Sequence, residues 1–426
     1  MTDEGVRTDG LRLRDMRPQE HEQWLALTHR AYLAEQHASP TTVELVRRLR
    51  EGHRRRVVVE TSDRLVATFR SYAVPLPLPG GPGRCAPTDA ISSVAVAATH
   101  RRRGLLRQLM TDDLHAARER GDTLAVLIAM EGGIYERYGF GAATRACRWT
   151  LDAREARFRT DPVREGRVHL DPCEAPDLVD VAPALHDRLA ARSPGAMPRE
   201  PLWWRSALGL EAEDDAERRR LRPAVLARDD SGAVVGALTY RAVESWEGRR
   251  TTARAEVAEL LADGPAATTA LWRHLAEVDL VTSVTASYRS PFEALPELLL
   301  DPRAATQSEH EDFAWVRVLD VPAALTARRY ALPGAVTVEV VDALGLAGGR
   351  WRLDVGEDGT ATAEPTSAEP DVVLPVEVLG ATVLGQVPLA GHAAAGRVDE
   401  RTPGAARRLG ALLWDPSTAV LGRTWF

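Results

Sequence analysis

Two rhythms run through this chain. Alternation with period two marks half-buried strands, and apolar residues three or four apart mark one face of a helix. Residues 11–14, Leu-Arg-Leu-Arg, alternate and predict a strand, and residues 20–34 predict a helix. Residues 57–60 and 65–73 predict two strands joined across Thr61-Ser62-Asp63, a turn-prone connection. A Pro/Gly loop covers 75–87 and a strand follows at 91–96. Over 103–118, Leu106, Met110 and Leu114 recur on one face and predict a helix. Residues 124–129 form an apolar strand that Gly132-Gly133 breaks, and 149–151 add a final strand to the same sheet. Strand, helix, three strands, helix, strand is an α/β layer on a mixed sheet.

A weaker copy of this order follows. Residues 224–228 and 234–240 predict a hairpin around Asp229-Asp230-Ser231-Gly232, with a strand at 253–260, a helix at 266–278 and a strand at 281–288. From about Trp315 the grammar changes to α+β. A helix opens at Val321-Pro322, strands at 336–341 and 350–355 flank Gly348-Gly349, an apolar stretch covers 372–374, and helices cover 376–384 and 406–413. The expected division is 1–155, 156–312 and 313–426.

Composition agrees with three packed units. The chain has 426 residues, 44% hydrophobic and 27% charged, which is long enough for several cores at ~150 residues per domain. The net charge is −7, which argues against a non-specific nucleic-acid binder. All 54 basic residues are arginine, and the chain contains no lysine and no asparagine. Lysine-bound Schiff-base chemistry and a Walker A phosphate loop are therefore excluded. Three scattered cysteines and the absence of C-x-x-C and H-E-x-x-H predict neither a disulfide framework nor a metal site. The charged first 15 residues hold no apolar signal core, and no apolar run approaches the ~20 residues of a membrane span. A cytoplasmic protein is expected.

Chemistry concentrates at two places. In Val94-Ala95-Val96-Ala97-Ala98-Thr99-His100-Arg101-Arg102-Arg103-Gly104-Leu105-Leu106 a strand runs into a basic, glycine-bearing turn where a helix starts. Free N–H groups at a helix start, the helix dipole and nearby arginines make an anion site, and glycine lets a pyrophosphate approach the backbone. An arginine run alone usually just solvates a helix end; the Val-x-Val strand before it and the amphipathic helix after it tip the balance here. The second place is Gly132-Gly133-Ile134-Tyr135-Glu136-Arg137-Tyr138-Gly139-Phe140, directly after the 124–129 strand. Tyr138 is expected to pack, and His100 to be structural.

Together these segments resemble the GCN5-related N-acetyltransferases. Arg101-x-x-Gly104-x-Leu106 matches that family's R/Q-x-x-G-x-G/A pyrophosphate loop, with Leu106 where Gly or Ala is usual, and Tyr135-x-x-x-Gly139-Phe140 matches its Y-x-x-x-G-F element. The likeness is closer to the enhanced intracellular survival (Eis) family, whose THRRRGLL and EGGIY-x-R-[YF]-G-[YF]-G signatures fit residues 99–106 and 131–141. The resemblance implies tandem GNAT-like mixed-sheet domains, the first catalytic and the second not, followed by a sterol-carrier-like domain. It implies acetyl-CoA as co-substrate, held by Val94, Ala95, Val96, Arg102, Arg103, Gly104, Leu105, Leu106 and Arg107, with Met130 and Glu131 nearby. It implies Tyr135 as general acid and the terminal carboxylate of Phe426 as general base. It further implies a hexamer and a polyamine or aminoglycoside-like acceptor.

The acceptor residues are less specified. Glu35 ends the first predicted helix and Ser92 precedes the cofactor strand, so both border the expected acceptor cleft, although a solvated glutamate and a packed serine are the commoner roles. In the second unit Asp263-Gly264-Pro265 stands where the first has its arginines, and a carboxylate there repels phosphate. Competing classes are a protein lysine acetyltransferase, a lipid carrier acting through the third domain, and a nucleic-acid regulator, the last opposed by the net charge.

Overall fold

The computed structural model describes residues 7–8, 10–33, 40–60, 62–159, 168–211, 223–415 and 424–425. It is an α/β molecule with two large mixed sheets and a smaller α+β domain. The valine run of the Arg54–Glu60 strand explains the layering of the first sheet. Val57 and Val59 pack with Trp24, Leu25 and Leu27 of helix His21–Ala31, whereas Val58 packs with Leu109, Met110 and Leu114 of helix Leu105–Glu119. Alternate side chains point to opposite faces, so the two helices cover the two faces of one sheet.

The first sheet runs Arg7–Thr8, Leu11–Asp15, Arg54–Glu60, Leu65–Pro77, Cys85–Val96, Leu124–Ile128, Ala314–Val318, Gly141–Ala142. The expected loop at 75–87 is mostly strand, for pairing continues through Pro75↔Pro87 to Pro77↔Cys85. The two prolines face each other, so both missing N–H groups fall at one pair and the ladder survives around them. Helix Pro40–Leu49, which the pattern did not predict, packs Val43 and Val46 against the Trp24 cluster.

The first two sheets trade strands. Residues 149–151 do not finish the first sheet: Arg145–Asp152 lies in the second, between Val281–Arg289 and Ala305–Asp312. In return Ala314–Val318 inserts between Leu124–Ile128 and Gly141–Ala142. Thr144 holds the crossing, its N–H donating to the Ala314 carbonyl and its hydroxyl accepting from the Ala314 N–H. A division at 155 therefore leaves a strand of the second sheet on the first side. Local pattern cannot reveal this, because the partner strands are distant in sequence.

The third domain is a five-stranded sheet, Ala361–Pro365, Gly349–Val355, Gly334–Val341, Val372–Pro375, Asp399–Glu400, carrying helices Val321–Ala327, Val376–Thr382, Leu389–Ala394 and Ala405–Leu413. Its core is continuous with the first sheet, since Val74, Leu76, Ala90, Leu124 and Val126 share one buried cluster with Val336, Leu353, Leu379 and Leu409. Gly141 and Gly380 permit the closest approach. A Cβ on Gly141 would lie 1.8 Å from the Glu377 carbonyl oxygen, and one on Gly380 would lie 2.2 Å from that of Val316. Arg317, fully buried, donates to Asp342 at 2.6 Å across the same joint.

Candidate active site

The Cys85–Val96 strand pairs parallel with Leu124–Ile128 at Thr88↔Leu124, Asp89↔Ala125, Ala90↔Val126 and Ile91↔Leu127, where the ladder stops. Its other edge stays paired with Leu65–Pro77 as far as Val96. Residues 92–96, including Ser92, Val94, Ala95 and Val96, thus border a gap between parted strands. A bulge helps open it: Ser93 and Val94 together oppose Phe69, and Ser93 has φ 53°. An extended chain of amides can add along such an opened edge.

The gap leads to the basic turn. Arg102 has φ 64° and Gly104 has φ 77°, left-handed backbone of the kind that anion-binding turns use. Gly104 caps helix Leu105–Glu119, with no side chain bonded to the helix start and no acidic residue in its first turn. The leading N–H groups of Leu105, Leu106 and Arg107 therefore remain for an anion. Arg101, Arg102, Arg103 and Arg107 are exposed, and among the described residues no carboxylate pairs with them. His100 is buried, bonded to Glu60 at 2.9 Å and Thr99 at 2.8 Å, as a structural residue is.

The Tyr135 turn stands beside the gap. The Tyr135 carbonyl accepts from the N–H of Tyr138 at 2.9 Å, and its ring meets Phe140 edge-on at 6.3 Å. Burial, then Tyr32, Glu131 and Tyr138, pushes the Tyr135 phenol well above the usual tyrosine range, so it keeps its proton. Tyr138 is buried and packs in the core. Met130, just after the Leu124–Ile128 strand, is exposed, and Glu131 follows it. An open cleft of about 750 Å³ adjoins this turn, lined by Gly133, Glu136, Arg137, Glu377 and Arg397.

The sequence reading missed the opposite wall. Tyr32 donates its hydroxyl to the Val94 carbonyl at 3.4 Å, linking the first helix to the parted strand. Behind it lie Arg50, Arg70, His53 and Tyr72, none marked by a motif. The signal for Arg70 was a charged residue inside an otherwise apolar strand, Leu65–Pro77. Ser92 sits directly opposite Arg70 in the ladder. Glu35 and Phe426 lie outside the described residues. Trp425 meets Tyr288 and Phe313 edge-on, each at 5.3 Å, and Thr424 accepts from Arg199 at 2.8 Å.

Beneath helix Leu105–Glu119 is a buried acid pair. Asp89 accepts from Arg120 at 2.8 Å, while Asp113 accepts from Arg54 at 2.8 Å and Ser71 at 2.9 Å. The remaining Oδ2 of each carboxyl is buried with no other donor, and burial plus Asp113 drives the Asp89 carboxyl far upward. Asp89 therefore keeps its proton where an exposed aspartate has lost it.

The second unit lacks the first one's electrostatics. Asp263 precedes helix Pro265–Ala276 and is itself occupied by Arg192 at 2.7 Å and Arg188 at 3.4 Å. Arg289 reaches the Leu260 carbonyl at 2.9 Å and pairs with Glu293. Among the described residues, no group of His, Cys, Asp or Glu could hold a metal ion.

A parted parallel strand pair, an arginine-rich turn at a helix start and a protonated tyrosine define an N-acetyltransferase of the GNAT type, which uses acetyl-CoA. Models of the acetyltransferase (GNAT) domain match residues 12–143 and 195–318, and a sterol carrier protein domain matches 321–421. An uncharacterised N-acetyltransferase of Streptomyces avermitilis is 42% identical over 85% of this chain and 85% of its own. The N-acetyltransferase Eis of Mycobacterium tuberculosis is 36% identical over 66% of this chain and 67% of its own. The crystal structure of Eis1 from Mycobacterium abscessus superposes with a TM-score of 0.82 at 28% identity, covering 98% of this chain and all of that one. The chain belongs to the Eis family of N-acetyltransferases.

Proposed function

We propose that the first domain transfers the acetyl group of acetyl-CoA to a primary amine. The observation that carries this is the gap after Ile91↔Leu127, flanked by unpaired arginines and a proton-bearing Tyr135. Arg102, Arg103, Arg107 and the N–H groups from Gly104 to Leu106 hold the pyrophosphate, and the Val94–Val96 edge receives the extended arm. Met130 and Glu131 line its exit. Fixing the thioester in this way removes part of the entropic barrier.

The amine attacks in its neutral form. Its nitrogen bonds to the thioester carbon, its proton passes to a base, and the carbon–sulfur bond breaks as the sulfur takes a proton. Tyr135 serves the sulfur, since its raised pKa keeps it a donor at neutral pH. The resemblance assigns the base to the α-carboxylate of Phe426, and the docking of Trp425 next to it supports that assignment. The resemblance by itself also implies a hexamer and a multi-amine acceptor.

Tyr135→Phe removes one hydroxyl and little volume. Turnover should fall by about 10²–10⁴, with acetyl-CoA binding unchanged by calorimetry. Appending a few glycines after Phe426 should likewise abolish transfer and spare binding. Near-normal turnover in either protein returns that role to another group.

A further inference from the structure

We propose that the acceptor amine carries a carboxylate, and that Arg70 and Arg50 receive it beside the catalytic gap. This rests on the reading of the first domain as an amine acetyltransferase and names the chemistry of its acceptor.

Arg70 is 4% exposed, in the middle of the Leu65–Pro77 strand. One guanidinium nitrogen faces His53 Nδ1 at 3.1 Å, and the group lies over the Tyr72 ring at 5.1 Å. Its Nε is buried with no acceptor. Arg50 lies over Trp24 at 4.8 Å, and its Nη1 is also buried without an acceptor. Among the described residues no carboxylate pairs with either arginine. Burial and then mutual repulsion push the Arg50 guanidinium down to about 9. Arg55, directly opposite Arg70 in the ladder, adds a third positive charge. His53 stacks on Tyr72 at 4.0 Å and, desolvated among arginines, falls to about 4, so it is neutral and can accept from Arg70.

Two desolvated guanidiniums without a counter-ion are costly for a fold, and an isosteric apolar pair would be cheaper. Such an arrangement is stable once a planar anion accepts from both, and the guanidinium fork fits a carboxylate. Its position says whose carboxylate. Tyr32 is an electrostatic neighbour of Arg50, Arg70 and Tyr135, and it bonds the Val94 carbonyl. Tyr32 therefore stands between the acid and the two arginines. A polycationic acceptor, the kind that the family resemblance implies, meets repulsion there, whereas an amino acid or short acidic peptide meets complementary charge, and on this point the chain parts from the resemblance. A second source of the same chemistry is the chain's own α-carboxylate.

The test compares α- and ω-amino acids with their carboxamides, and with kanamycin, as acceptors. The native enzyme should favour the carboxylate over the matched amide by about ten- to hundredfold in kcat/KM, chiefly through KM. Arg70→Met should erase that preference while leaving the unfolding temperature unchanged or higher, and Arg70→Lys should keep part of it. Calorimetry of the same ligands on CoA-loaded protein reads the preference without turnover. Equal use of acid and amide, or a preference for kanamycin, overturns the inference while leaving amine acetylation intact. Carboxylate binding that appears only in a C-terminally extended chain shows that the arginines serve the chain end, and overturns it too. Acetylation of no amine at all, with the carboxylate preference present in calorimetry, defeats the reaction and spares the site.

Discussion

Asp89 shows how one buried proton couples the site's scaffold to pH. Its carboxyl is raised by burial and by Asp113, so the folded chain keeps a proton that the unfolded chain releases above about pH 4. The native state then binds more protons than the unfolded one, and stability falls as pH rises from that point towards the raised value. Asp89→Asn carries a neutral group at every pH. Thermal unfolding between about pH 5 and pH 9 should show the native protein losing stability with rising pH and the variant losing less, by about 1 kcal/mol or more at the alkaline end. Parallel curves would show that Asp89 holds no such proton. A different balance governs Arg328. It is fully buried, and although its Nε has no acceptor, both of its terminal nitrogens donate, to the Val383 and Leu413 carbonyls at 2.7 Å each, where two helices end. Arg50, by contrast, has a terminal nitrogen, Nη1, buried with no acceptor, and the Arg70 Nη1 meets only a histidine ring.

Elements here are joined where side chains are missing. With 1.8 Å available for a Cβ, Gly141→Ala cannot be absorbed by any rotamer, because the obstacle is the backbone oxygen of Glu377. Chemical denaturation should register a loss of about 3 kcal/mol or more, or a failure to fold. A milder result would mean that helix Val376–Thr382 can slide. The elements themselves were largely readable. The period-two valines of the Gly334–Val341 strand and the Leu106/Met110/Leu114 face declared their structure, and so did the turn at Arg101–Gly104. What could not be read was partnership. Trp149 and Leu151 look the same in either sheet, and nothing local tells that Ala314–Val318 will lie against Leu124–Ile128. Tyr32, Arg50 and Arg70 escaped for the same reason: they come from two helices and a strand, and only the fold brings them together. The basic turn at Arg101–Gly104 was legible as a turn because one continuous stretch builds it.

At the scale of the whole chain, the two transferase units are alike in topology and unlike in charge. Asp263 with its two arginines, and Pro265 lacking an N–H at the helix start, leave the second unit without an anion site. Titration with acetyl-CoA should find one cofactor per chain, and a stoichiometry of two would return binding to the second unit. The exchange of Arg145–Asp152 for Ala314–Val318 also has a bearing on how the molecule is made. The catalytic sheet cannot close until Val318 has left the ribosome, so Leu124–Ile128 waits with an exposed edge while the whole second unit is synthesised. At about 5–20 residues per second that wait is on the order of ten to forty seconds. Activity therefore arrives late and all at once. A stalled or truncated nascent chain offers a bare strand to its neighbours, which makes it a substrate for chaperones before it is ever an enzyme.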